Sequence, residues 1–161
     1  MASPQMVMYE EEFRQISQII ERLNREANAK VCYLVDKNGQ LIAGAGETSN
    51  IDGTSLASLT AGNIAATGGL AKLLGEKEFS ILFHEGERDN IHISLIGQRV
   101  ILVVVFDARS SLGLVRLRVR RTSQELSNIF QTLLKKTQVP GGTASPFAEI
   151  TDADIDNLFR D

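Results

Sequence analysis

Residues 55–74 read Ser55-Leu56-Ala57-Ser58-Leu59-Thr60-Ala61-Gly62-Asn63-Ile64-Ala65-Ala66-Thr67-Gly68-Gly69-Leu70-Ala71-Lys72-Leu73-Leu74. Leu56, Leu59, Asn63, Ala66, Leu70 and Leu73 recur at steps of 3 and 4, the spacing of one helix face. The pattern predicts a helix over 54–75, with Thr54 or Ser55 capping its start and Gly75 closing it. Its composition is unusual. Ala57, Ala61, Gly62, Ala65, Ala66, Gly68, Gly69 and Ala71 leave much of the helix nearly bare of side chains. Two central glycines cost roughly 1 kcal/mol each relative to alanine. Close approach of another backbone is the usual compensation.

Upstream, Phe13, Ile16, Ile20, Leu23 and Ala27 share a face of a predicted helix over 6–28, with Asn28 as its stop. Glu10, Glu11 and Glu12 suit its positive N-terminal end. Val31–Asp36 and Gln40–Ala45 flank Lys37-Asn38-Gly39, which predicts a β-hairpin. Residues 46–53 are polar and read as a loop. Downstream, Ile81–Glu85, Ile91–Ile96 and Arg99–Phe106 are strand-like, separated by turn residues at 86–90 and at Gly97-Gln98. Val100–Phe106 is apolar on both faces, so this strand should be central and covered on both sides. Residues 112–136 carry two patterns. Val115, Leu117 and Val119 alternate with arginines, as in a strand. Leu112, Val115, Val119, Thr122, Leu126, Ile129 and Leu133 step as in a helix, over a longer span, which favours the helix. The resulting order is α-β-β-α-β-β-β-α: an α+β fold with a five-stranded antiparallel sheet between helices.

The 161 residues suffice for one domain with a core of its own. We divide them into a domain at 1–137, a linker at 138–146 containing Pro140-Gly141-Gly142, and a tail at 147–161. The net charge of −3 is unevenly placed. Residues 145–161 hold Glu149, Asp152, Asp154, Asp156 and Asp161 against Arg160 alone, whereas the rest is nearly neutral. A broad basic surface for nucleic acid is therefore not expected. Met1-Ala2-Ser3-Pro4 does not open a basic-then-apolar stretch, and the longest apolar run, Val100–Phe106, is too short for a bilayer. A cytosolic protein without membrane insertion is expected.

No catalytic constellation stands out. A P-loop signature is missing, and Gly44-Ala45-Gly46 lacks the third glycine of a dinucleotide fingerprint. His84 and His92, with Glu85 or Asp89, do not repeat a metal-ligand spacing, so strand-end or surface histidines are expected, with no metal and no cofactor. Cys32 reads as a buried apolar residue, and nothing local would activate it as a nucleophile beside His84. Arg116, Arg118, Arg120 and Arg121 form the densest basic cluster. They read as a solvated helix pairing with acids, or as a contact for phosphate or an acidic partner. Residues 149–156 lack the central glycine and closing glutamate of a calcium loop. The tail, with Phe147, Ile150, Ile155, Leu158 and Phe159 among its acids, reads as a short docking peptide, or else as a solubilising extension.

The stretch Leu59-Thr60-Ala61-Gly62-Asn63-Ile64-Ala65-Ala66, set in this order of elements, resembles the Roadblock family. Further support comes from Tyr9-Glu10-Glu11-Glu12-Phe13, from 34–42, from Phe83-His84-Glu85-Gly86 and from 111–117. Ser145–Ile150 and Asp154–Phe159 complete it. The nearer likeness is to bacterial members that act on MglA-like small Ras-like GTPases. The resemblance implies a homodimer in which two sheets join edge to edge as one continuous sheet. The second helices would pair through Leu59, Asn63, Ala66 and Leu70, with Asn63 setting register as buried Asn does in coiled coils. It also implies that 112–136 is helical. It further implies a GTPase-activating protein that is not itself an enzyme, with one GTPase per dimer docked on Ala61, Ile64, Ala65, Gly68, Gly69 and Lys72. Family members organise the GTPase's own catalytic groups. The other route is an arginine supplied in trans, for which Arg109, Arg116 and Arg118 are the candidates. The tail would touch a second patch on the GTPase. A role in cell polarity and gliding motility, with further polarity partners and concentration at a cell pole, is a family association. The alternative is a Roadblock scaffold that only bridges other proteins.

Overall fold

The computed structural model describes residues 4–137, with side chains from Glu10 to Lys135. The linker 138–146 and the tail residues Phe147, Ile150, Ile155, Leu158 and Phe159 lie outside the described residues. The elements are α1 (Pro4–Glu26), β1 (Val31–Asp36), β2 (Leu41–Gly46), a 3-10 turn (Thr48–Asn50), α2 (Gly53–Leu74), β3 (Ile81–Glu85), β4 (Asn90–Ile96), β5 (Val100–Phe106) and α3 (Leu112–Thr137). They form one five-stranded sheet in the order β2-β1-β5-β4-β3, with every pairing antiparallel. The expected element order and fold class are observed.

All seven residues of β5 are buried, because this strand sits mid-sheet with helices on both sides. Successive side chains point to opposite faces. Leu102, Val104 and Phe106 therefore join Cys32 and Leu34 of β1 beneath α1 and α3. Ile101, Val103 and Val105 join Val31, Tyr33 and Val35 beneath α2. Helix α1 contributes Ile16, Ile20, Leu23 and Ala27, and α3 contributes Val115, Val119 and Leu126. Full burial of each large aliphatic here is worth about 1.5–3 kcal/mol. Phe13 departs from the expected stripe: it is half-exposed, and neighbouring Glu12 is buried instead.

Local chemistry explains the turns. The β1–β2 reversal is not the tight two-residue form, because only Gly39 takes positive φ. The Asp36 carboxylate accepts from the Asn38 and Gln40 amides, the Gly39 amide donates to the Asp36 carbonyl, and the register shifts by one residue beside it. A three-residue loop closed by a left-handed glycine has this form. Between β4 and β5, Gly97 and Gln98 both take positive φ, as a mirror-image two-residue turn demands.

Two groups differ from a surface reading. Cys32 is fully buried, as expected, and burial pushes its thiol pKa up to about 12. His92, expected at a strand end or on the surface, is only 1% exposed. It pairs with Val104 in register, on the face covered by α1 and α3, and neither ring nitrogen has a hydrogen-bond partner among the described residues. Burial holds its pKa below the ordinary histidine value, and nearby Arg116 acts in the same direction.

A depressed histidine pKa means the unfolded chain binds the proton more readily. Stability is therefore fully present above the ordinary value of about 6.5 and is lost progressively as pH falls below it. The urea midpoint should fall between about pH 7.5 and about pH 5.5, and His92→Leu should flatten that fall. An equal slope in the variant contradicts this role for His92.

Candidate functional site

Helix α2 is positioned by its ends. Its cap is Asp52, not the expected Thr54 or Ser55. The Ser55 amide donates to Asp52 Oδ1 at 3.3 Å, and the Ser55 hydroxyl donates to Oδ2 at 2.7 Å. These bonds lower the Asp52 pKa below the usual carboxylate value. Gly75 closes the helix in the left-handed conformation, as expected, donating to the carbonyls of Ala71 and Lys72.

At about 100° per residue, α2 presents three faces. The inner face carries Ala57, Thr60 and Ala71, all buried, with Ile64 half-buried against the sheet. The outer stripe carries Leu59, Asn63, Ala66, Leu70 and Leu73. Leu59 is 74% exposed, Leu70 57% and Leu73 83%. One flank carries Ala61, Ala65, Gly68, Gly69 and Lys72, and it adjoins the β1–β2 hairpin, where Gly39 lies against Ser58 and Ala61.

The residues expected to dock a GTPase thus divide. Ala65, Gly69 and Lys72 are exposed, Ala61 and Gly68 are half-buried on the same flank, and Ile64 turns inward. Among the residues expected at the dimer interface, Leu59, Ala66 and Leu70 face outward together. Asn63 is half-buried, and its amide donates to His84 Nε2 on β3 at 3.2 Å. An amide nitrogen only donates, so the ring nitrogen accepts. Asn63 thereby ties α2 to the edge strand β3. Ile81 of β3 is 54% exposed, on the sheet face opposite α2.

A Cβ added at Gly62, Gly68 or Gly69 would meet nothing within 4 Å. No part of the described chain approaches α2 closely enough to require these glycines. Gly44 is different: a Cβ there would stand 2.8 Å from the Tyr33 ring, so this glycine serves packing rather than a phosphate.

The arginine candidates lie elsewhere. Arg116 and Arg118 are on α3, across the sheet from α2. Arg118 pairs with Glu26 at 3.4 Å, and Arg109 is held by Asp107 at 3.0 Å and Glu47 at 3.4 Å. Between α1 and α3 there is only a shallow groove, lined by Gln15, Ile19, Arg22, Arg25 and Ile129 among others. Among the described residues, no cluster of His, Cys, Asp and Glu could hold a metal. Among them, no helix is long and apolar enough to cross a membrane.

The model of the Roadblock/LC7 domain matches residues 15–106. The chain belongs to the Roadblock/LC7 family. MglB of Myxococcus xanthus is 62% identical, with 80% of this chain and 96% of that chain covered and a TM-score of 0.77. The gliding protein MglB of Thermus thermophilus is 35% identical, with 75% and 92% covered and a TM-score of 0.70. A structure described as MglB with a tetrameric arrangement is 33% identical, with 75% and 91% covered and a TM-score of 0.70. No match is found among the curated proteins. This chain, a Roadblock/LC7 protein similar to MglB, exposes Leu59, Leu70, Leu73 and Leu74 together on α2.

The open glycines of α2 yield a test. Gly62→Ala and Gly69→Ala should each raise stability by about 0.5–1 kcal/mol, read as a higher urea midpoint, because each removes a helical glycine without a clash. A lower midpoint would show that something packs on these positions in the purified protein.

Proposed function

We propose that this protein is a GTPase-activating protein for an MglA-like small Ras-like GTPase. It acts as a homodimer that docks one GTPase. The observation that carries this reading is the outward surface of α2, which is apolar on one stripe and nearly bare on the adjoining flank. Joined to the likeness to MglB, that surface favours a protein partner over a small-molecule substrate. The outer stripe of Leu59, Asn63, Ala66 and Leu70 pairs with its copy in a second chain. The free edge of β3, tied to that stripe through His84 and Asn63, continues the sheet into the partner and removes an otherwise unpaired edge. The flank of Ala61, Ala65, Gly68, Gly69 and Lys72 then receives the GTPase, with Ile64 supporting it from within.

Activation proceeds by organisation. Lys72 is the sole basic side chain of α2, and the arginine candidates stand across the sheet or within ion pairs. Docking therefore holds the GTPase in the conformation where its own groups reach the phosphate. The barrier falls through positioning and population shift. The protein needs no active site or cofactor of its own for this. The tail at 147–161 supplies a second contact on the GTPase.

GTP hydrolysis by the cognate GTPase, measured with and without saturating protein, tests the reading. Hydrolysis should accelerate. Ala65→Arg and Gly69→Arg should abolish the acceleration by obstructing the flank. Alanine variants of Arg109, Arg116 and Arg118 should retain it, since an arginine supplied in trans is worth about 10³–10⁵ in rate and its loss would be plain. No acceleration by the wild type would leave a scaffold that only bridges proteins.

A further inference from the structure

Charge along this chain is partitioned more sharply than its total suggests. Helix α3 holds Arg116, Arg118, Arg120, Arg121, Lys135 and Lys136 against Glu125 alone, a net of +5. Residues 1–111 hold ten bases and fourteen acids, a net of −4. Residues 145–161 add another −4. Helix α3 is therefore the one strongly basic element that the acidic tail can find on its own chain.

The outer face of α3 also offers an apolar contact. Leu117 is 60% exposed there, one turn from Gly113, which leaves a bare patch beside it. Arg118 and Arg121 are engaged by Glu26 and Glu125. Arg116 and Arg120 are both exposed along one side of Leu117 and have no ion-pair partner among the described residues. Exposed leucine beside free arginines complements a peptide that sets Ile155, Leu158 and Phe159 close to Asp152, Asp154 and Asp156. The outer face of α2 lacks this match, having Lys72 as its only base.

Reach is sufficient. Leu117 lies roughly 30 Å back along α3 from Thr137, at 1.5 Å per residue. A stretch of fourteen residues, the length of 138–151, can span up to about 46 Å. Tethering supplies an effective concentration in the millimolar range, so a contact too weak between separate molecules is populated within one.

We propose that residues 147–161 dock in cis on the outer face of α3, over Leu117 and along the neighbouring Arg116 and Arg120. The helix is the resting site of the tail and competes with any other partner for it. This inference does not require the GTPase reading, because it concerns the protein alone.

Paramagnetic broadening in the full-length protein tests it. Asn157→Cys carries a nitroxide label, while Cys32 is buried and stays unmodified. Amide signals of residues 113–124 should lose intensity selectively, and the loss should diminish as salt rises. Arg116→Glu with Arg120→Glu should remove the effect. Adding Asp152→Lys and Asp154→Lys should restore it, which separates charge pairing from any damage to α3. Broadening spread evenly, centred on α2, or unchanged by the charge reversal would overturn the proposal. So would broadening in a mixture where the isotope and the nitroxide are on different chains, since the contact would then be between molecules.

Discussion

The covering of β5 is the constraint on which the rest depends. A seven-residue strand of valine, isoleucine, leucine and phenylalanine has no side to show to water. Both faces must be roofed, and the chain has three helices for the purpose. Two of them, α1 and α3, share one face, and α2 alone covers the other. Helices α1 and α3 lock together through Arg22 and Glu125 and through Arg118 and Glu26, so the seam between them is polar and ion-paired. Helix α2 has no such neighbour. Its inner face is spent on the sheet, and its outer faces remain apolar or bare. The asymmetry of two helices against one leaves the outer faces of α2 exposed on one side of the sheet.

Much of this was legible because the periodicities were long. The helices, the strands, the hairpin at Asn38-Gly39 and the central place of β5 follow from spacing alone. The alternating arginines of 112–121 imitate a strand, but Val115, Val119, Thr122 and Leu126 continue at helical steps and win. What escaped depends on three-dimensional neighbours. His92 looks like any strand histidine until register sets it beside Val104 under two helices. Asp52 caps α2 because its carboxylate reaches back to Ser55, a geometry that Thr54 and Ser55 disguise by being good caps themselves. Ile64 sits among the small residues in sequence, yet the turn of the helix aims it at the core.

Electrostatics follow the same division of faces. The basic residues concentrate on α3, behind the sheet as seen from α2, and several are already held by acids of α1 or of α3 itself. A cation on a helix that buries its other side against the sheet cannot be swung through the sheet to a partner on α2. The outer faces of α2, with Lys72 as their sole base, offer shape and apolar contact rather than charge. An exposed ion pair is in any case worth under about 1 kcal/mol, too little to orient a partner alone.

The glycines of α2 carry the last step. A helical glycine is tolerated when its missing side chain admits something. Were that something within the chain, a Cβ at Gly62, Gly68 or Gly69 would strike it, as one at Gly44 strikes Tyr33. It strikes nothing, so no contact among the described residues requires a glycine at these positions. Gly68 and Gly69 open onto the flank that also holds Ala61 and Ala65. There a second backbone could approach to the distance of weak Cα–H···O contacts, which a leucine would forbid. The roughly 1 kcal/mol that each glycine costs the isolated helix is not recovered by any contact among the described residues.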